Sequence, residues 1–221
     1  MYILVHLHDP AEQAALCRML QVWATFSCVS MQVLTQEPGD QGDPAILFWD
    51  LDGPPPVRRW PDCPLILCSR DPRQAIGSYC FHPAGFLPKP IPPHSLWTAM
   101  DRCAGAWYPA LQRLPAFPGR DPFPLPLREL MWAEGDRRGC RLHTLRQTVT
   151  IRAPLYRLAE GLPAEVFCRC QRSFLVNITY VQQIAGPCLL LQNGSRLPLS
   201  RRNRAGILAA HHQYRRLRYG Q

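Results

Sequence analysis

Between Tyr108 and Pro126 the chain carries six prolines, at 109, 115, 118, 122, 124 and 126, with Gly119 among them. Proline fixes φ and removes a backbone donor, so neither a helix nor a central strand runs through such a stretch. A chain of 221 residues interrupted near its middle in this way predicts two domains. The net charge changes sign at the same place. Residues 1–119 hold eight basic and ten acidic side chains, a net of −2; residues 120–221 hold seventeen and six, a net of +11. The expected organisation is a first domain over residues 1–107, a semi-extended linker over 108–124 and a second domain over 125–221. A hydrophobic fraction of 47% is enough for two packed cores and excludes wholesale disorder.

No apolar run approaches the ~18 residues of a membrane span, and Met1–His6 lacks the basic start of a signal peptide. A cytoplasmic protein without membrane contact is expected. The ten cysteines include no C-x-x-C pair. That spacing argues against zinc, and without an export signal the thiols are expected to be reduced and packed as small core residues. Neither a G-x-S-x-G, an H-E-x-x-H nor a P-loop pattern is present, so no enzyme is expected. His211 and His212 are adjacent on an expected helix and diverge by about 100°, a poor metal pair.

In the first half, Tyr2–Leu7, Cys28–Leu34, Ala45–Trp49, Leu65–Cys68 and Gly85–Leu87 are short apolar runs that predict strands. Helices are predicted from Pro10, with Leu16, Leu20 and Trp23 on one stripe, and over Pro93–Ala106. This alternation predicts an α/β domain with a parallel sheet. Asp50 is then placed just beyond a strand's C-terminal end, where such sheets put their chemistry. The segments Phe48-Trp49-Asp50, Leu67-Cys68-Ser69 and Phe86-Leu87-Pro88-Lys89-Pro90 resemble the receiver domain of bacterial response regulators, a flavodoxin-like fold. The resemblance implies Asp50 as phosphoacceptor from a histidine kinase, with Ser69, Lys89 and Asp9 around the phosphate. Lys89 is the only lysine among 25 basic residues. The acidic pair that holds Mg²⁺ in receivers falls here on Leu7 and His8, which offer no hard oxygen ligand. An atypical receiver is therefore expected, with Mg²⁺ and phosphorylation dispensable and the helix between Asp50 and Ser69 stunted. Asp52 is the acid nearest at hand to replace the missing pair.

The second half alternates apolar runs and polar breaks about every ten residues: Leu130–Ala133, Cys140–Thr144, Thr148–Ile151, Val166–Cys170, Val181–Ile184, Leu189–Leu191 and Arg196–Leu199. A mainly-β domain follows, with a hairpin at Asn193-Gly194, one short helix behind Pro154 and a terminal helix over Arg201–Tyr219. The run Val166–Asn177, the Asn193-Gly194 hairpin and Leu197-Pro198-Leu199-Ser200-Arg201-Arg202 resemble the LytTR DNA-binding domain. That resemblance implies contacts to double-stranded DNA from Arg137, Arg138 and Cys140, from Arg172, and from Arg201 and Arg202. Asn177 is expected to fix a turn, and Arg169 to be a solvated strand residue.

Together these readings predict a transcription regulator that binds paired promoter repeats as a homodimer, independently of phosphorylation. Helix residues Leu96, Trp97, Met100 and Ala104 are the expected dimer contact. The alternatives are a conventional two-component regulator switched at Asp50, and a protein that sequesters a partner without DNA output of its own.

Overall fold

The structure, a computed structural model, describes residues 1–38, 42–54, 63–115 and 125–220. The chain divides into two compact units. The first comprises Met1–Ala24, Val29–Ala110 and the last residues from Leu217; the second comprises Thr25–Cys28 and Leu111–Arg216.

In the first unit, strand β1 (Tyr2–His6) leads into helix α1 (Pro10–Ser27), followed by β2 (Gln32–Leu34), β3 (Ile46–Asp50), β4 (Leu65–Ser69), the short helix α2 (Gln74–Gly77), β5 (Gly85–Pro88), α3 (Pro93–Arg102) and α4 (Ala104–Trp107). The strands form one parallel sheet in the order β2-β1-β3-β4-β5. β3 is buried along its whole length, as expected where both sheet faces are covered. Asp9 starts α1: its Oδ1 accepts the N–H of Ala11 at 2.8 Å, and Pro10 follows as the first helical residue. Leu16, Leu20 and Trp23 then recur at helical spacing and are buried.

Several expectations are corrected here. Of the run Cys28–Leu34 only Gln32–Leu34 is strand. Asp50 is the last residue of β3 rather than the residue after it. The helix expected over Pro93–Ala106 breaks at Cys103, and Leu96, Trp97 and Met100 are buried. Leu96, Trp97 and Met100 are thus packed within their own unit, while Ala104, half-buried, falls in α4. Of the expected linker, residues 111–115 pack into the second unit, where Leu114 N–H donates to Leu125 O at 2.8 Å and Leu111 and Leu114 are buried. Residues 116–124, and residues 55–62 of the stretch where a stunted helix was expected, lie outside the described residues.

The second unit holds β6 (Leu130–Asp136), β7 (Gly139–Thr144), β8 (Thr148–Ile151), α5 (Leu155–Glu160), β9 (Phe167–Gln171), β10 (Phe174–Asn177), β11 (Val181–Ala185), β12 (Cys188–Leu191), β13 (Arg196–Pro198) and α6 (Arg204–Tyr219). Two antiparallel sheets result, ordered β8-β7-β6-β10-β9 and β11-β12-β13. Strand β10 has no counterpart among the expected strands, yet it lies between β6 and β9. The β6–β7 turn requires Gly139, whose φ is +152° and where a Cβ would stand 2.0 Å from Ile151 O.

Asn177 ties the end of β10 to the start of β6 and to the turn that leads into β11. Its Nδ2 donates to Leu130 O at 2.9 Å, and its Oδ1 accepts from Thr179 N–H at 3.0 Å and Thr179 Oγ1 at 2.7 Å. It is 1% exposed. Asn177→Ala strands a buried carbonyl and two donors, and is expected to cost about 2–3 kcal/mol. The urea midpoint of the full chain's C-terminal transition measures this.

Candidate functional site

Two groups of side chains stand out, one in each unit. The first lies at the C-terminal edge of the parallel sheet. β1 and β3 are neighbours there, with β1 continuing outward to β2 on one side and β3 to β4 on the other, the place where such sheets bind ligands. The ends of β3, β4 and β5 bring Asp50, Ser69 and Lys89 together, as the sequence predicts. Lys89 Nζ lies 2.6 Å from Asp50 Oδ2, 3.0 Å from Asp52 Oδ2 and 3.1 Å from Glu12 Oε2. Its side chain is 2% exposed and that of Asp50 1%. A single ammonium is therefore surrounded by three carboxylates.

The backbone donates to both oxygens of Asp50. Oδ2 also accepts the N–H of His8 at 3.0 Å, and Oδ1 accepts the N–H of Asp52 at 2.9 Å. The His8 ring sits beside it, Nδ1 3.4 Å from Oδ2. That ring rests where a side chain at position 53 would be: a Cβ on Gly53 would fall 1.8 Å from His8 Cε1. Burial by itself would raise the Asp50 carboxyl, but the His8 N–H, Lys89 and the Asp52 N–H hold it below the ordinary carboxylate range. Burial likewise would lower Lys89, and its hydrogen bonds to Asp50, Asp52 and Glu12 raise it instead.

These residues do not fit Mg²⁺. The ammonium of Lys89 stands where a cation would meet the carboxylates, and Leu7 and His8 present no oxygen ligand. Asp9 turns away from the cluster's centre: it caps α1, and its Oδ2 meets Arg70 Nη2 at 3.4 Å. Glu12 is an addition that the sequence reading did not include, and His8, read there only as a position lacking an acid, lies against Asp50. Glu12 could have been found as the acid in the first turn of the helix that follows β1.

The second group is a set of arginines at one end of the larger β-sheet. Arg137 and Arg138 form the β6–β7 turn, and Arg172 with Ser173 forms the β9–β10 turn. The Gly135 N–H donates to Ser173 O at 2.8 Å, so the two turns project from the same end. Arg201 and Arg202 follow Ser200, whose N–H donates to Cys170 O on β9 at 2.9 Å. They form a turn before α6 rather than its first residues. All five arginines are exposed, and among the described residues none of the five forms an ion pair. Arg141 contrasts with them, being paired with Glu134 at 2.8 Å.

Two neighbours change their expected roles. Cys140 is 1% exposed and its thiol donates to Ala153 O at 3.0 Å, so it presents nothing to a ligand outside. Arg169 is not a free strand residue; its Nη1 donates to Arg172 O at 3.1 Å and braces the turn that carries Arg172. Asn177 fixes a turn, as expected. The thiols of Cys168 and Cys170 likewise donate to backbone carbonyls, of Ala164 and Phe174.

An antiparallel scaffold that presents unpaired arginines from successive turns is the kind of surface that meets a polyanion. Residues 121–211 match the family model of the LytTr DNA-binding domain. The C-terminal unit thereby carries a DNA-binding domain of the LytTr type. A solved LytTr DNA-binding domain, from a candidate methyl-accepting/DNA response regulator of Bacillus cereus, is 25% identical to this chain with a TM-score of 0.37, covering 48% of this chain and 94% of that one. No curated protein matches the chain. The parallel order of the N-terminal sheet is compatible with a receiver-like fold, and the family match lies wholly in residues 121–211. Among the described residues no helix is long and apolar enough to cross a membrane.

Proposed function

We propose that the protein is a transcription regulator that binds duplex DNA through its C-terminal unit, as a homodimer on paired repeats, without need of phosphorylation at Asp50. The observation that carries this reading is the LytTr match over residues whose exposed turns hold Arg137, Arg138, Arg172, Arg201 and Arg202. Guanidinium groups fork onto guanine edges in the major groove and onto phosphates. Backbone bonds and Arg169 brace turns from which those side chains project. No chemistry on the DNA is assigned to the site, so the protein is read as a binder and not as an enzyme. The N-terminal unit supports the phosphate-independent part, because the Asp50 oxygens are engaged internally and its carboxylate is buried. A histidine kinase is accordingly not required as a partner.

Selection of bound duplexes from a randomised pool by the full chain tests this. The expected product holds two copies of a short element at a fixed spacing near one helical turn or a multiple, about 10–10.5 base pairs. Light scattering of the complex is expected to give two chains per duplex. An unenriched pool would defeat the DNA-reading proposal, and one chain across both repeats would defeat the dimer.

A further inference from the structure

Three donors from the ends of two strands converge beside Asp50. Ser69 Oγ donates to Asp52 Oδ1 at 2.6 Å; the Arg70 N–H donates to the same carboxylate at 3.1 and 3.2 Å; and Lys89 Nζ donates to Asp52 Oδ2 at 3.0 Å. A hydroxyl, a backbone N–H and an ammonium aimed at one point form a seat for an oxyanion. We propose that Asp52 is the built-in occupant of this seat, so that its carboxylate closes a Ser69–Arg70–Lys89 cradle against tetrahedral anions from solution.

The local bonding explains why the donors point where they do. The Asp71 N–H donates to Ser69 Oγ at 3.0 Å, which leaves the hydroxyl proton directed at Asp52. The Lys89 N–H donates to Ser69 O at 2.8 Å, fixing the two strand ends to each other. Ser69 is fully buried and the Lys89 side chain is 2% exposed, so neither can swing out to meet a ligand elsewhere. Asp52 arrives from the third strand end, two residues after β3, and its side chain is 21% exposed, on the solvent side of the cradle. An anion from solution must displace a carboxylate that is tethered in place and therefore present at a high effective concentration. It must also approach Glu12, Asp50 and Asp52, whose three carboxylates already share one ammonium. Removing the Asp52 carboxylate removes the first obstacle, reduces the second to Glu12 and Asp50, and leaves the donors in position.

This inference deepens the phosphate-independent reading above, yet its readout sits at one lysine and does not pass through DNA. Failure of either is therefore distinguishable from failure of the other. Because Lys89 is the only lysine, ε-¹³C-lysine labelling of the full chain gives one side-chain signal. Titration with inorganic phosphate, against sodium chloride at equal ionic strength, is expected to leave that signal unmoved in the wild type. In Asp52→Ala a saturable shift is expected, with an affinity at least tenfold above the wild-type limit, about 1.4 kcal/mol. Asp52→Asn, which keeps the shape and removes the charge, is expected to respond in the same direction and serves where the alanine variant does not fold. A saturable phosphate response in the wild type overturns the proposal outright. So does a folded Asp52→Ala or Asp52→Asn chain whose Lys89 signal ignores phosphate.

Discussion

Lys89→Met is expected to lower the stability of the N-terminal unit by about 3–5 kcal/mol, the usual cost of breaking a buried ion pair from one side. The methionine fills nearly the same volume, so the loss comes from charge. Asp50, Asp52 and Glu12 are left facing one another without the ammonium that lies within 3.1 Å of each. Asp50 suffers most, since its side chain is only 1% exposed and water cannot replace the lost partner. The urea midpoint of the N-terminal transition reads this directly, and an unchanged midpoint would show that the cluster contributes no net stability.

The same cluster sets a pH dependence whose sign follows from its shifts. The carboxyls of Asp50 and Asp52 titrate below their ordinary 3.8, so their contribution is complete above that value and is lost as pH falls through the lowered ones. Lys89 titrates above its ordinary 10.5, so its contribution is complete below that value and fades as pH rises through the raised one. The wild-type unit is expected to hold a plateau of stability between about pH 5 and pH 9 and to weaken on either side. Lys89→Met is expected to lose the difference from wild type in acid, where the carboxylates are protonated in both proteins. Urea melts across pH test both statements.

Arg172→Ala and Arg202→Ala are each expected to weaken binding to the selected duplex by about 1–3 kcal/mol. Both side chains are exposed, and among the described residues neither has an ion-pair partner to lose. Their removal should therefore leave the melting profile unchanged while the affinity falls. Arg141→Ala is the internal control: its guanidinium is committed to Glu134 at 2.8 Å, and an effect within about twofold, roughly 0.4 kcal/mol, is expected. Arg169→Ala should act differently again. It removes the brace on the Arg172 carbonyl, so its loss of affinity is expected to track that of Arg172→Ala without exceeding it. Titrations of labelled duplex with the four purified variants compare them on one scale.

Much of the fold was legible in the amino-acid sequence because its cues are local. Asp9-Pro10 marks the start of α1, and the apolar runs around Phe48 and Leu67 mark buried strands. The convergence of Asp50, Ser69 and Lys89 was implied by the resemblance of their segments to receiver domains, not by any local spacing. What stayed hidden depends on contacts between distant segments. Strand β10 escaped because Gln171 and Phe174 are separated only by Arg172-Ser173, a turn without glycine or asparagine, which gives no hairpin signal after the run Val166–Cys170. The stripe on α3 has the same spacing whether it faces a partner or its own core, and here it is buried. Cys140 lies in a turn-adjacent position that resembles a contact site, yet strand alternation carries it inward beside Leu142. The ammonium amid three carboxylates draws on α1, β3 with the loop after it, and the end of β5. No spacing rule links Glu12, Asp50, Asp52 and Lys89 before the chain folds.

The claim that the C-terminal unit reads duplex DNA through its arginine turns is tested most directly by the salt dependence of binding. The affinity of the full chain for the selected duplex is measured across salt concentrations, beside a scrambled duplex and the Arg172→Ala and Arg202→Ala chains. Each phosphate neutralised steepens the log–log slope by about 0.9, so a phosphate-contacting arginine, once removed, flattens the slope by that amount. An arginine that reads a base instead relaxes the preference for the selected sequence. The predicted result is a steep linear fall for the wild type, a retained preference for the selected duplex, and one or the other loss in each variant. A salt-independent affinity that is equal for both duplexes and unchanged in the variants would contradict the account.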